Sequence, residues 1–355
     1  MSKSKKIKSF DPNGVRLANG KFIGLPFEEE DAEVVLITVP WDVTSSHKGG
    51  ACTGPINILE SSYRVNLFIP DLPTAWQMGI FFRPPDPHWL QRSQELRPMA
   101  EEYIQALENE SGTDSDDIWQ TLSQNIISHV NQAAGELRAW VKGESQSLIA
   151  RGKLLGVIGG DHSVSLGLLD ALAEKYDSFG VLHIDAHMDL RESYQDFEYS
   201  HASTFFHAIQ IPQISRVVQL GIRDCCEEEI NRTEAQKDKI KVFWDQDLQD
   251  HLQEGVSWSE QVDEILKELP EKVYLSLDID GLEARFCPNT GTPVPGGLSY
   301  AQFCYLVRKL VQSGRILIGF DLVEVAGIGN DWDGNVGARL TYFLSCWMGK
   351  SQGRL

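Results

Sequence analysis

Phe179-Gly180-Val181-Leu182-His183-Ile184-Asp185-Ala186-His187-Met188-Asp189 reads as a strand that ends in ligands. Its first six residues form an almost unbroken apolar run, the pattern of a strand buried on both faces in a parallel sheet. After Ile184 the chain places Asp185, His187 and Asp189 at alternate positions, and in an extended chain alternate side chains share a face. Three strong ligands on one face of a buried strand end would repel and desolvate each other without a cation between them. In open parallel α/β sheets the carboxyl edge of the strands is where ligands bind.

Two further segments repeat the arrangement. Val273-Tyr274-Leu275 runs into Ser276-Leu277-Asp278-Ile279-Asp280, and an apolar run at 154–158 leads to Gly159-Gly160-Asp161-His162-Ser163. A lone Asp-x-Asp is common as a helix cap or turn. Three such segments together give six candidate ligands, His162, Asp185, His187, Asp189, Asp278 and Asp280, which read as a two-metal hydrolytic centre. Two imidazoles with four carboxylates suit borderline-hard divalent ions, Mn²⁺ before Ni²⁺, Zn²⁺ or Fe²⁺.

Outward from these segments the chain alternates. Strand-like runs fall at 34–38, 154–158, 180–184, 217–220, 240–243, 273–277 and 316–320, with helical patterns at 55–63, 165–175, 259–269, 300–312 and 336–347. Such alternation implies right-handed crossovers and an α/β fold of three layers, α/β/α, around a mainly parallel sheet. Residues 1–30 read as a flexible segment, and residues 31–350 as a single domain. The alternation breaks at about 84–152, where helical patterns at 89–107 and 119–150 flank an acidic stretch at 108–117.

Gly-Gly-Asp-His-Ser, Asp-Ala-His-x-Asp, and Ser-x-Asp-x-Asp-Gly-Leu followed by Thr290-Gly291-Thr292-Pro293-Val294-Pro295-Gly296-Gly297-Leu298-Ser299 together resemble the ureohydrolases: arginase, agmatinase, guanidinobutyrase and formiminoglutamase. The resemblance implies an arginase-like fold and a pair of divalent cations. In it Asp185 and Asp278 bridge both ions, His162 and Asp189 complete one site, and His187 and Asp280 the other. It implies hydrolysis of a guanidino compound to urea and an amine, with Asp185 and Asp278 catalytic through the metals. A guanidinium carbon is a poor electrophile, and two cations sharing carboxylates lower the pKa of water enough to attack it. His201 matches the family histidine that hands a proton to the leaving amine. Glu324, in Gly319-Phe320-Asp321-Leu322-Val323-Glu324, matches the carboxylate that pairs with the substrate guanidinium. Asp161 and His183 would orient ligands from behind. Since the 84–152 stretch is longer than is usual in the family, it reads as a helical insertion that elaborates the surface, covers the site or forms a subunit face. Trp76, Trp89 and Trp119 could supply an interface for a homo-oligomer, trimeric or hexameric as in the family.

Two departures stand out. Glu283-Ala284 replaces the usual Asp-Pro, and the loop Ser45-Ser46-His47-Lys48-Gly49-Gly50 lacks the arginines of agmatinase-like sequences. Leu190-Arg191-Glu192 is closer to agmatinases and formiminoglutamases than to arginase. Arg191 would either pair with Glu192 or another acid, or hold a substrate carboxylate. Agmatine is the first substrate to expect, free guanidine or a guanidino acid next. The alternatives are formiminoglutamate hydrolysis releasing formamide, and a non-catalytic metal-binding paralogue.

Composition sets the outer bounds. A chain of 355 residues with 42% hydrophobic content has ample core. A net charge of −19 with a pI near 4.9 disfavours nucleic acid as partner, and the one basic cluster, Lys3-Ser4-Lys5-Lys6, reads as a solvated tail. No stretch is long and apolar enough to span a bilayer. Six cysteines without CxxC spacing imply reduced thiols in a cytoplasmic protein.

Overall fold

Eight strands form one sheet, every pairing parallel, in the computed structural model of the chain, which describes residues 1–47, 49–109 and 117–355. They are β1 (Val34–Val39), β2 (Ile80–Phe82), β3 (Leu154–Gly159), β4 (Phe179–Ile184), β5 (Ile214–Ile222), β6 (Ile240–Trp244), β7 (Lys272–Asp278) and β8 (Ile316–Val323). The helices are α1 (Lys3–Ser9), α2 (Gly54–Ser62), α3 (Pro87–Glu108), α4 (Asp117–Ala150), α5 (Leu166–Lys175), α6 (Thr204–Ala208), α7 (Glu227–Ala235), α8 (Asp245–Gln253), α9 (Trp258–Lys267), α10 (Tyr300–Gln312) and α11 (Asp331–Ser351). Strand order is β2-β1-β3-β8-β7-β4-β5-β6. The four strands expected to deliver functional side chains, β3, β8, β7 and β4, are therefore adjacent at the centre, and all end at the same edge.

The sheet is buried on both faces because its side chains alternate between two cores. Val34 and Leu36 of β1 join the core beneath α2, α9, α10 and α11, while Val35, Ile37 and Val39 join the one beneath α3, α4 and α5. Helix starts carry their own signals. Ser299 accepts from the Gln302 N–H while the Gln302 side chain accepts from the Ser299 N–H, a reciprocal cap that begins α10.

Three expectations change. Residues 1–30 are not a loose segment: Phe22, Ile23, Leu25 and Phe27 are fully buried in the core, and α1 is fastened by Lys3 to Glu33 (3.2 Å) and Lys6 to Asp31 (2.5 Å). Within the cluster read as a solvated tail, Lys3 and Lys6 are thus half-buried and paired, while Ser4 and Lys5 are exposed. Trp76 and Trp89 are buried and offer no interface: Trp76 lies against Phe10 and Phe27, and Trp89 lies between Trp41 and Trp140. The helices of the 84–152 stretch are not a surface elaboration either. Ile126, Val130, Ala133, Leu137, Val141 and Leu148 recur at helical spacing along α4 and are buried in the core against β1, β3 and α5, so the pair forms part of one helical layer. Of the acidic stretch at 108–117 between α3 and α4, residues 110–116 lie outside the described residues. No described helix is long and apolar enough to cross a membrane.

Candidate metal centre

His162, Asp185, His187, Asp189, Asp278 and Asp280 converge where β3, β4 and β7 end. Two glycines let the backbones approach. A Cβ at Gly160 would run into the Trp41 carbonyl, and one at Gly281 would stand 2.6 Å from the Asp185 nitrogen. Asp189 (φ 54°) and Glu324 (φ 59°) both adopt the left-handed conformation that non-glycine residues avoid. Strain of this kind gathers at functional sites, where the surroundings impose it.

Asp185 is the hinge of the cluster, because its two oxygens face different groups. Its Oδ2 lies 3.1 Å from His162 Nδ1, which is also 3.0 Å from Asp189 Oδ2 and 3.6 Å from Asp278 Oδ2. Its Oδ1 lies 3.4 Å from His187 Nδ1, which is 3.3 Å from Asp280 Oδ2. Two donor groups thus share one carboxylate. Asp278 sits beside the first, with its Oδ1 accepting the Asp280 N–H at 2.9 Å.

The His162 ring shows what the cluster is built to hold. Its Nε2 is 2.9 Å from Ser276 Oγ, and Ser276 Oγ is 2.8 and 2.9 Å from the two oxygens of Asp321, which also accepts from Tyr274 Oη (2.6 Å) and the Leu277 N–H (3.2 Å). Since a carboxylate only accepts, Ser276 donates to Asp321 and receives the His162 Nε2 proton. In the neutral ring the lone pair is then on Nδ1, buried and ringed by carboxylate oxygens. Burial opposes a charge there, yet Asp185 and Asp189 raise the imidazole well above its ordinary value, so that a proton takes this place when no metal ion does. A cation satisfies a lone pair ringed by acceptors, so the donor set fits two divalent ions that share Asp185.

Electrostatics agree. Burial and the neighbouring Asp185 charge push Asp189 up to about 7, and burial with Asp280 and Asp185 pushes Asp278 well above the carboxylate range. Burial works against His187, yet Asp280 and Asp185 raise it to about 12. The cluster has more negative charge than its own imidazoles balance.

The remaining expected residues fall around this core. His183 donates from Nε2 to Asp185 Oδ2 (2.8 Å), and its Nδ1 accepts from the Gln219 amide (3.0 Å). Both ring nitrogens are engaged, which places His183 behind the bridging acid. Asp161 accepts from the Ser163 N–H (3.0 Å) and hydroxyl and starts the turn that carries His162. Burial pushes Asp161 up to about 7. Glu324 Oε1 accepts the His162 N–H at 3.2 Å, and burial with Asp161 and Asp280 nearby pushes its carboxyl well up. Glu324 also lines a cavity with Gly50, Asn289 and Gly291.

A second cavity, of about 280 Å³, opens over the cluster between His187, Asp189, Arg191, Tyr194, His201 and Thr292, with Glu108 and Asp224 also on its lining. His201 Nε2 stands 3.5 Å from Ser46 Oγ, and its Nδ1 3.3 Å from Ser200 Oγ. The Glu192 partner expected for Arg191 is absent: among the described residues no acid lies within 4.0 Å of its guanidinium, which lies over the Tyr194 ring at 4.8 Å. Glu283, at the first departure from the family pattern, pairs with Arg285 at 2.7 Å.

Sequence reasoning passed over Ser276, Asp321, Tyr274 and Gln219. Three of them were open to it, since Tyr274, Ser276 and Asp278 alternate on one face of β7, and Asp321 is an acid in the middle of an apolar strand.

Sheet and cluster define a class: parallel α/β proteins whose central strands gather acids and imidazoles at their carboxyl ends to hold divalent cations. The chain belongs to the arginase family, which it matches over residues 32–341. It is 33% identical over 318 residues to the N(1)-aminopropylagmatine ureohydrolase of Thermus thermophilus, spanning 89% of this chain and 90% of that one. It is 32% identical over 218 residues to the guanidinobutyrase of Pseudomonas aeruginosa, with 58% and 64% covered. The solved agmatine ureohydrolase of Thermoplasma volcanium shares the fold with a TM-score of 0.71 and 20% identity, over 99% of each chain.

Proposed function

We propose that the chain is a binuclear-metal hydrolase that cleaves a guanidino compound to urea and an amine. The observation that carries this is the pair of donor groups joined by Asp185, with His162 Nδ1 buried among the oxygens of Asp185, Asp189 and Asp278. Mn²⁺ is the metal the reading favours, on the strength of four carboxylates against two imidazoles. When bound, the cations supply the charge that acidifies a water and draws electrons from the guanidine. Asp185 and Asp278 hold the centre, and Glu324 receives the guanidinium as a planar cation.

His201 is the proton carrier in this reading. Burial first, then the imidazoles of His187 and His162, push it down to about 3. Cations at the cluster would push the same way, so the resting imidazole is neutral. It takes the proton that the attacking water sheds and gives it to the nitrogen whose bond to the central carbon breaks. One water is consumed, and urea leaves; the positive charge that the guanidinium brought departs with the amine, as an ammonium.

Glu108 and Asp224 on the cavity lining favour a substrate with a second cation at its far end, agmatine or its aminopropyl derivative. Arg191, with no acid partner among the described residues, supports a guanidino acid as second reading. Free thiols at all six cysteines fit a reducing, cytoplasmic setting. Metal-stripped protein reloaded with Mn²⁺, Ni²⁺ or Zn²⁺ should release urea from agmatine or aminopropylagmatine faster than from 4-guanidinobutyrate or guanidine. Formamide from formiminoglutamate without urea from any guanidine would overturn the reading, and silence with every metal would leave a non-catalytic paralogue.

A further inference from the structure

Two loops wall the cavity over the cluster, and α3 and α4 grip both. The first loop carries Ser46 and His47. From α3, Arg97 donates to the carbonyls of Asp42 (3.4 Å), Val43 (3.2 Å), Ser45 and His47 (3.4 Å), spreading one guanidinium along the loop backbone from 42 to 47. Ser93, one helical turn earlier, donates to Asp42 at 3.3 Å, and Asp42 in turn accepts from the N–H groups of Gly50 (2.6 Å) and Cys52 (3.2 Å).

The second loop runs from Arg191 to His201. Within it Tyr194 and Phe197 exchange backbone hydrogen bonds of 3.1 and 3.0 Å around Gln195 (φ 52°) and Asp196 (φ 60°). Such a turn is made readily by Asn-Gly and reluctantly by Gln-Asp, so it needs outside support. The helices provide it. Tyr103 of α3 donates to Asp196 Oδ2 (2.5 Å), while Asn131 of α4 donates to the Asp196 carbonyl (3.2 Å) and accepts from the Glu198 N–H (2.9 Å). His201 stands between the walls, with Ser46 on one side and the Tyr194 ring edge-on at 5.9 Å and 90° on the other.

We propose that Arg97 and Asn131 are positioning residues for the reaction: the α3–α4 pair fixes both cavity walls and so sets where His201 stands relative to the cations and the leaving nitrogen. Neither residue reaches the cluster. The inference rests on the proton-carrier reading of His201. A surface role for the two helices predicts no change in turnover when these contacts are removed, whereas a bracing role does.

Three variants of the full chain test it, reloaded with Mn²⁺: Arg97→Lys, which keeps the charge but cannot span the loop carbonyls; Asn131→Ala; and Asn131→Asp, which keeps the acceptor for Glu198 and loses the donor to Asp196. Displacement of a reacting group by about 1 Å can cost ~100-fold in rate, so a partial loosening should lower kcat about tenfold. The expected result is that loss for Arg97→Lys and Asn131→Ala, a smaller one for Asn131→Asp, KM moved less than kcat, and metal content equal to the parent. Amide hydrogen exchange should quicken at residues 194–200 in the Asn131 variants and at 43–47 in Arg97→Lys. A kcat per metal-loaded molecule within twofold of the parent in all three, whatever the exchange, overturns the proposal. Should the parent itself release no urea, the functional reading falls, and unchanged exchange in all three variants would then sink the brace as well. If Arg97→Lys does not fold, the half-buried Asn131 pair decides.

Discussion

Ser276→Ala is the sharpest test of how the centre is held, because it removes one oxygen and leaves every candidate ligand in place. Ser276 Oγ takes the His162 Nε2 proton at 2.9 Å and donates to Asp321 at 2.8 Å. Asp321 keeps Tyr274 and the Leu277 N–H afterwards, whereas His162 Nε2, on a side chain only 1% exposed, is left with Asp321 Oδ1 at 4.0 Å, beyond hydrogen-bond reach. Two losses follow. The stranded N–H should cost the metal-stripped fold about 1–3 kcal/mol, the price of an unsatisfied buried donor. The ring is then free to turn and to change tautomer, and removal of a partner that orients a metal-binding imidazole typically weakens binding by about 10–100-fold, or roughly 1.4–2.7 kcal/mol. Denaturant unfolding of the metal-stripped protein measures the first loss, and calorimetric titration with Mn²⁺ the second. Leu275→Ala is the control: its side chain is fully buried on the opposite face of β7, and its loss should cost about 2–5 kcal/mol of stability with little effect on the metal. Should Ser276→Ala bind Mn²⁺ within twofold of the parent while its stability falls, the chain from Tyr274 through Asp321 and Ser276 to His162 would be packing and not orientation.

Asp185→Ala should lose both cations and all urea release, because the two donor groups share that carboxylate; elemental analysis finding one ion retained would break the shared-ligand reading. His201→Ala should slow turnover by about 10²–10⁴-fold with both ions retained, and an emptied centre would refute its role as proton carrier. The metal-stripped and loaded proteins should show opposite pH trends between about pH 4 and 7. Asp161 and Asp189 are raised to about 7 in the stripped fold, and Asp278 and Glu324 are raised further; burial lowers His183, His201 and His207 and offsets part of this, but the four acids outnumber the three imidazoles, so across that window the folded state still binds more protons than the unfolded chain. Stability of the stripped protein therefore falls as pH rises from about 4 to 7, while metal-derived stability rises because ligands must be deprotonated. Melting temperatures of the two forms that climb together would contradict the crowding of acids.

Central strands were legible because burial on both faces writes itself as an unbroken apolar run. Helices α7 and α8 were not, since Glu227-Glu228-Glu229 and Asp245-Gln246-Asp247 present few apolar residues to count, and β2 is three residues at a sheet edge. The acids at the strand tips were legible through their period of two. Arg97, Asn131 and Tyr103 left no such mark, because their partners lie 50 to 93 residues away and are largely backbone groups that any sequence carries. Residues 22–27 were misjudged for a related reason: a short apolar segment outside the alternation has no periodicity, and only the finished sheet offers the surface on which Phe22 and Phe27 are covered.

Labour at the site is divided by element type. The cluster is built from strand ends within a sheet paired on both sides, so the carboxylates cannot relieve their repulsion by moving apart without breaking ladder hydrogen bonds; the strained backbones of Asp189 and Glu324 show the same constraint. A centre meant to hold two cations at fixed separation needs that rigidity, since a site that relaxed when empty would spend binding energy on reassembly at each loading. The walls are loops, and loops can change sequence without disturbing a ladder. They cannot hold a side chain such as His201 to a few tenths of an ångström by themselves, however, and on the proposal above the side chains that reach them from α3 and α4 supply that stiffness from outside. Substitutions on the walls should therefore alter substrate preference and turnover while leaving metal affinity unchanged, and substitutions behind the strands should do the reverse.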